Sequence, residues 1–182
     1  MSGIIGFSGE NGNKSGTIGS KPNFKVGLGT SHTLTANSYV TVNFDTEHWD
    51  IGNNFNNTSS GSGGLQPYSF KAPTPGKYCF TWIIGYSQMN TETTRCLTRF
   101  NHLDSSASDV LVTYADINGP DDFIENAMGG GVYAQAHSTS ANMKAGEFAS
   151  LSAYFSPSGT QALDISNTHT TFCGWYESAG GR

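Results

Sequence analysis

Charge is scarce in this chain. Asp, Glu, Lys and Arg together make up 13% of its 182 residues, and the nine basic residues are scattered along the whole length. Gripping a phosphate backbone takes clustered Lys and Arg, so nucleic acid is not expected as a partner. No apolar run approaches the roughly 18 residues that a membrane-spanning helix needs, and no membrane span is expected. The start, MSGIIGFSGENG, lacks a basic stretch followed by an apolar one, so no secretion signal is expected. Cysteine is also sparse. The odd count and wide spacing of Cys79, Cys96 and Cys173 argue against a disulfide framework. No CxxC-type pair offers a metal site. In strand-like, apolar surroundings these thiols are expected to behave as small hydrophobes.

What the chain has instead is glycine, 23 residues of it, with many Ser, Thr and Asn and 12% aromatics. That mixture suits short strands joined by turns, not helices, which favour Ala, Leu, Glu and Lys. Phe24, Val26 and Leu28 alternate with polar or small residues at a period of two. Residues 39–44, YVTVNF, are β-branched and aromatic. Further strand-like runs lie at 95–103, 110–114, 131–136, 148–155 and 170–176, with a strong turn signal at Asn118–Asp122. About eight to ten short strands point to an all-β sandwich or barrel.

Residues 77–86, KYCFTWIIGY, carry the most information. Tyr78, Phe80, Trp82, Ile84 and Tyr86 form one face, and Cys79, Thr81, Ile83 and Gly85 the other; neither is charged. A strand wet on one side alternates apolar with polar. This one is expected to be covered on both. A two-layer sandwich covers only one face of each sheet, so the second face is expected to meet another subunit.

Residues 1–23 differ from the rest. Ser2-Gly-Ile-Ile-Gly6 returns as Ser15-Gly-Thr-Ile-Gly19, around a small, polar stretch. Such a segment cannot bury enough apolar surface to fold alone. It is expected to form an extended arm with adhesive points at Ile4, Ile5 and Ile18, followed by a domain at 24–177 and a polar tail at 178–182.

From Phe44 onward the spacing resembles that of the globular head of the complement q subunit. Phe44, Asp50 and Phe55 stand at its first three spacings, and Phe70, Gly76, Tyr78 and Phe80 at its last ones, with Trp82 at the place of a final Phe or Tyr. Between Phe55 and Phe70 the chain is about eight residues longer, an Asn/Ser/Gly insertion of the kind that surface loops tolerate. The role of this loop, residues 56–69, is left open. Met143–Phe148 resembles the family's turn before the penultimate strand, and Thr171–Trp175 resembles its last strand. The resemblance, shared with the tumour-necrosis-factor fold, implies a ten-strand jelly roll that assembles as a homotrimer without catalysis or cofactor. By that analogy Phe44, Phe55, Phe70, Tyr78, Phe80, Trp82 and Trp175 fill the protomer core. Cys79, Thr81, Ile83, Phe172 and Tyr176 then face the three-fold axis.

Catalytic and metal-binding patterns are not found in the sequence. His32, His48, His102, His137 and His169 form no HExxH-like pair, and no GxSxG marks a nucleophile. His48 lies among Asp45, Glu47 and Asp50, but on a strand it faces away from Asp45 and Glu47; a solvated strand end is expected. Gly129-Gly-Gly131 has no following Lys-Ser/Thr and reads as a bulge or close backbone contact. Asp116, Asp121, Asp122 and Glu125 are the densest acidic group, and their spacing fits no EF-hand. The functional expectation is therefore a structural protein on a virion surface, made in the host cytoplasm. It would be a phage tail-fibre or head-fibre knob, or a capsid decoration protein, attached to other capsid or tail proteins through residues 1–23, with a host surface receptor as a further partner. The alternative is a soluble trimeric complement-q-like lectin binding surface glycans or proteins.

Overall fold

A computed structural model describes residues 21–61, 64–87, 93–107, 110–118, 133–157 and 163–179. These residues form strands and connections only. In chain order the strands are β1 Asn23–Gly27, β2 His32–Leu34, β3 Val40–Thr41, β4 Thr46–Ile51, β5 Phe55–Asn56 and β6 Ser69–Lys71. Then follow β7 Gly76–Ser87, β8 Thr93–Leu103, β9 Val110–Asn118, β10 Tyr133–Met143, β11 Phe148–Pro157, β12 Leu163–Ile165 and β13 Thr171–Ser178. The last residue of the expected arm, Asn23, is already the first of β1.

The strands pair antiparallel into two sheets. The first has the order β2-β12-β7-β13-β1-β4, and β10 also pairs β7 from end to end; the second has the order β5-β6-β11-β8-β9, with β3 on β11. Period-two patterning explains why β7 lies at the centre of the first sheet. Tyr78, Phe80, Trp82, Ile84 and Tyr86 all turn inward and are buried, as the inner face of a sandwich requires. From the second sheet β11 sends Leu151, Ala153 and Phe155 inward, and β8 sends Phe100.

Phe24 of β1 sits in the middle of this core. Its ring centroid lies 5.0 Å from those of Phe55, Phe70 and Phe172. Room for it comes from Gly174 on the neighbouring strand. A Cβ there would stand 2.5 Å from Phe24 and 2.8 Å from Phe80, closer than packed atoms tolerate. Buried side-chain donors find acceptors across the sandwich. Trp82 Nε1 donates to Thr98 Oγ1 at 3.2 Å, Tyr86 OH to the Leu97 carbonyl at 2.6 Å and Gln135 Nε2 to the Cys96 carbonyl at 3.0 Å. All three land on β8, so the polar ends of large inward side chains also fix the sheets' register.

The expected strand over 39–44 shortens to Val40–Thr41. The Val42 N–H still donates to Leu151 in the second sheet, but the Phe44 N–H donates back to the Val42 carbonyl. That tight bend carries the chain from the second sheet to β4 in the first, so the β-branched run cannot continue as one strand. The inserted loop is organised by the buried Asn56. Its Nδ2 donates to the carbonyls of Ser60 at 2.9 Å and Gln66 at 3.0 Å, and its Oδ1 accepts from Thr58 N and Oγ1.

Candidate functional site

The outer face of the first sheet is the candidate site. Residues directly opposite on antiparallel strands point to the same side, so the registers lay out its surface. One row runs Ile51, Asn23, Trp175, Cys79, Ser140 across β4, β1, β13, β7 and β10; the next runs Trp49, Lys25, Cys173, Thr81, Ser138. A third holds Thr171, Ile83 and Ala136. Among the described residues the exposed large hydrophobics are Trp49 (48%), Ile51 (41%), Ile83 (42%) and Trp175 (42%). All four lie in these three rows.

The rest of the face is small, hydroxylated or paired. Lys25 Nζ lies 5.6 Å from the centre of the Trp49 ring. At one rim Lys77 Nζ is 2.9 Å from Glu177 Oε2, and the Cys79 thiol donates to the same oxygen at 3.2 Å. Their mutual hydrogen bond holds the Lys77 ammonium above its ordinary pKa and the Glu177 carboxyl below its own. Burial, helped by Glu177, pushes the Cys79 thiol up; burial also raises Cys173, against a lowering by Lys25. Both thiols are thus held away from the thiolate form that nucleophilic or redox chemistry uses. Trp175, Lys77, Cys79, Thr81, Ser138 and Ser140 line an open pocket of about 480 Å³.

The structure corrects the assignment of β13. Trp175, expected in the core, is on the outer face, and Phe172, expected at the axis, is fully buried. The register gives the reason: Phe172 lies opposite Trp82, Gly174 opposite Phe80 and Tyr176 opposite Tyr78. Because those β7 residues point inward, their partners do too, and the one-residue offset places Trp175 outside with Cys79. Tyr176, also expected at the axis, packs edge-on against Tyr78 at 5.3 Å at the end of the core, with Lys21 Nζ 5.5 Å from its ring centre. Cys79, Thr81 and Ile83 do lie on the outer face. Phe44, Phe55, Phe70, Tyr78, Phe80 and Trp82 are buried together.

Other sequence candidates do not converge. Asp45, Glu47 and His48 are exposed at one edge; the Asp45 carboxylate accepts the Gly29 N–H and, at 3.2 Å, the Thr46 hydroxyl. Among the described residues no three His, Cys, Asp or Glu side chains are placed to share a metal ion. Asp121, Asp122, Glu125, Gly129–Gly131 and the arm residues Ile4, Ile5 and Ile18 lie outside the described residues. One feature had no local signal. His102 Nε2 and Glu147 Oε2, 45 residues apart, form a buried pair at 2.7 Å, and the same oxygen accepts the Lys144 N–H at 2.8 Å.

No described protein family matches the chain in sequence, and no curated protein matches it. Solved structures do. The globular domain of zebrafish complement 1qA superposes with a TM-score of 0.53 at 16% identity, over 88% of this chain and all of that one. Murine APRIL superposes at 0.55 and 8% identity, over 86% of this chain and 99% of that one. The fold is the jelly roll of the complement-q and tumour-necrosis-factor proteins. Eiger TNF from S. frugiperda also shares it, at 0.50 and 8% identity, over 89% of this chain and 94% of that one.

Proposed function

We propose that this chain is a non-catalytic module that assembles as a homotrimer through the outer face of its first sheet. The observation that carries this reading is that, among the described residues, all four exposed large hydrophobics are confined to that face. Fully burying such a side chain stabilises by roughly 1.5–3 kcal/mol, and each is already about half covered, so a partner regains about 1 kcal/mol per side chain. Three copies related by symmetry multiply that gain; between the large groups lie hydroxyls and thiols, and the one cation in these rows, Lys25, rests against the Trp49 ring. Light scattering on the purified chain at micromolar concentration should give three protomers. Ile83→Asp should leave a folded monomer, because an unpaired charge at the contact costs several kcal/mol. A stable, folded monomer of the unaltered chain would overturn the reading.

Within this reading we assign the trimer to a virion surface, as a fibre knob or a capsid decoration protein held by residues 1–23. The support is in the sequence: the paired SGIIG and SGTIG segments, on a stretch too polar to fold alone, suit strand addition at a partner's sheet edge. Each arm binds weakly, and three together bind tightly. Deleting residues 2–20 should leave the trimer intact and abolish its incorporation into particles. Normal incorporation of the truncated trimer would refute the anchor.

A further inference from the structure

The outer face of the first sheet is not uniform. Because β10 pairs β7 along nearly its whole length, the face runs from β4 at one end, through β1, β13 and β7, to β10 at the other. The β4 end carries bulk. Trp49 and Ile51 are exposed there, and Trp49 is the most exposed large hydrophobic among the described residues. The β7–β10 end is hollow. Cys79 and Thr81 of β7 lie in register with Ser140 and Ser138 of β10, all short side chains, and Trp175 of β13 stands beside them opposite Cys79. These five, with Lys77 at the rim, line the open pocket of about 480 Å³.

In the trimer proposed above, on which this docking rests, symmetry relates the two ends. A two-fold contact sets a patch against its own copy, whereas a three-fold ring is closed by head-to-tail contacts, each between two different patches. A bulky end and a hollow end on one face are such a pair. Three strand spacings separate Trp49 from Thr81, about 14 Å, so the bulk cannot fill the hollow within one chain.

We propose that Trp49 of one protomer enters the β7–β10 hollow of the next, against its Trp175 ring, and that three such contacts close the trimer. A covered tryptophan buries about 150–250 Å², and offset or edge-on aromatic pairs add to that gain. The hydroxyls of Thr81, Ser138 and Ser140 offer acceptors to the indole N–H, which loses its water on docking. Charge agrees with the same direction. Lys25, with its ammonium 5.6 Å from the centre of the Trp49 ring, travels with it, and the rim of the hollow carries the half-exposed Glu177 carboxylate. The covered cation is thus brought to the end of the face that holds a carboxylate. Contact between two β4 ends would instead set Lys25 against a second Lys25.

The test separates the docking from the trimer itself. Light scattering of the unaltered full chain should give three protomers; a monomer overturns trimer and docking together. Ser138→Trp fills the hollow from an exposed position on β10 and should weaken association tenfold or more, as should Trp49→Ala, with circular dichroism to confirm that each variant is folded. An interface that needed only apolar area would be strengthened by the added ring, so an unchanged or tighter Ser138→Trp trimer overturns the docking. Cross-linking gives the direction. In an Ile51→Cys, Cys173→Ser chain, which keeps Trp49, a short bismaleimide should join residue 51 of one protomer to Cys79 of the next; the remaining thiol, Cys96, is buried. Each chain then carries a link on either side, so a denaturing gel should show a three-chain product that disappears when Cys79→Ser is added. Links between two copies of residue 51 stop at two chains. A trimer that yields no three-chain product, or one whose three-chain product survives Cys79→Ser, leaves the trimer standing and overturns the docking.

Discussion

Phe172→Ala and Trp175→Ala, three residues apart on one strand, should have opposite consequences. The Phe172 ring is fully buried, with centroids 5.0 Å from Phe24, 5.6 Å from Phe44, 5.9 Å from Phe80, 6.2 Å from Phe55 and 6.5 Å from Phe100. Both sheets contribute to this cluster, so neither can collapse into the space left behind. Truncating such a side chain costs about 3–5 kcal/mol. For a domain of this size each kcal/mol lowers Tm by about 2–4 °C, a fall of roughly 6–20 °C in all. Trp175 is 42% exposed on the outer face, and its loss should cost the protomer about 1 kcal/mol or less. Assembly links stability to concentration, so urea unfolding is measured at several protein concentrations. Phe172→Ala should lose stability equally at all of them, whereas the loss for Trp175→Ala should depend on concentration. A concentration-independent loss of 3 kcal/mol or more for Trp175→Ala, with a small loss for Phe172→Ala, would refute this assignment of faces.

Gly174→Ala should destabilise by about 1–3 kcal/mol or more in the same assay, because its new methyl meets Phe24 and Phe80 in a core that cannot yield; a neutral change would show that the rings move freely. Glu147→Gln keeps the shape but weakens the bonds from His102 and Lys144, and should cost about 1–3 kcal/mol; no loss would show that this buried pair is idle. Burial holds His137 below its ordinary value of 6.5, and burial outweighs Asp164 in lowering His32 as well. The unfolded chain therefore binds more protons in mild acid. This contribution is complete above about pH 6.5 and is lost as pH falls through the lower folded values. The pH slope of unfolding free energy below 6.5 should be shallower in His137→Gln, and an unchanged slope would contradict it. Cys96, which burial pushes up to about 12, should stay unmodified by a thiol reagent until the chain unfolds; rapid native-state labelling of Cys96 would count against the fold.

The residues that local patterning places correctly and those it misplaces differ in a physical way. β7 is legible because its even positions are all large and apolar, so one inward face satisfies a period of two without reference to any other strand. β13 is not. Thr171–Tyr176 carries aromatics at both parities, Phe172 and Tyr176 on one side and Trp175 on the other, and only pairing with β7 decides between them. The local clue is Gly174: a glycine between two aromatics of a central strand marks the side where a neighbour's ring must enter, and that is the inward side. The break after Thr41 is illegible for a related reason, since YVTVNF has high strand propensity throughout and the bend at Val42–Phe44 follows from the chain changing sheets. His102 and Glu147 come together only because the end of β8 meets the start of β11. The second sheet's ring cluster is equally non-local, joining Tyr39, Arg99 and Tyr154 from three separate segments.

The outer faces of the two sheets lie on opposite sides of one sandwich, whose layers lie about 10 Å apart. A trimer formed through the first sheet would turn the second sheet, with its Tyr39–Arg99–Tyr154 cluster, outward. The charge distribution favours this arrangement over its reverse. Burying the second sheet would cover two cations, Arg95 and Arg99, whereas burying the first covers four apolar side chains and one cation, Lys25 on the Trp49 ring, and leaves its ion pair, Lys77 with Glu177, at a rim. Each surface can therefore be disabled without touching the other. Ile83→Asp should give a folded monomer by light scattering. Arg99→Gln should give a trimer of unchanged size. A trimer that survives Ile83→Asp but is lost in Arg99→Gln would show that the second sheet carries the contact, and the assignment of the interface to the first sheet would be wrong.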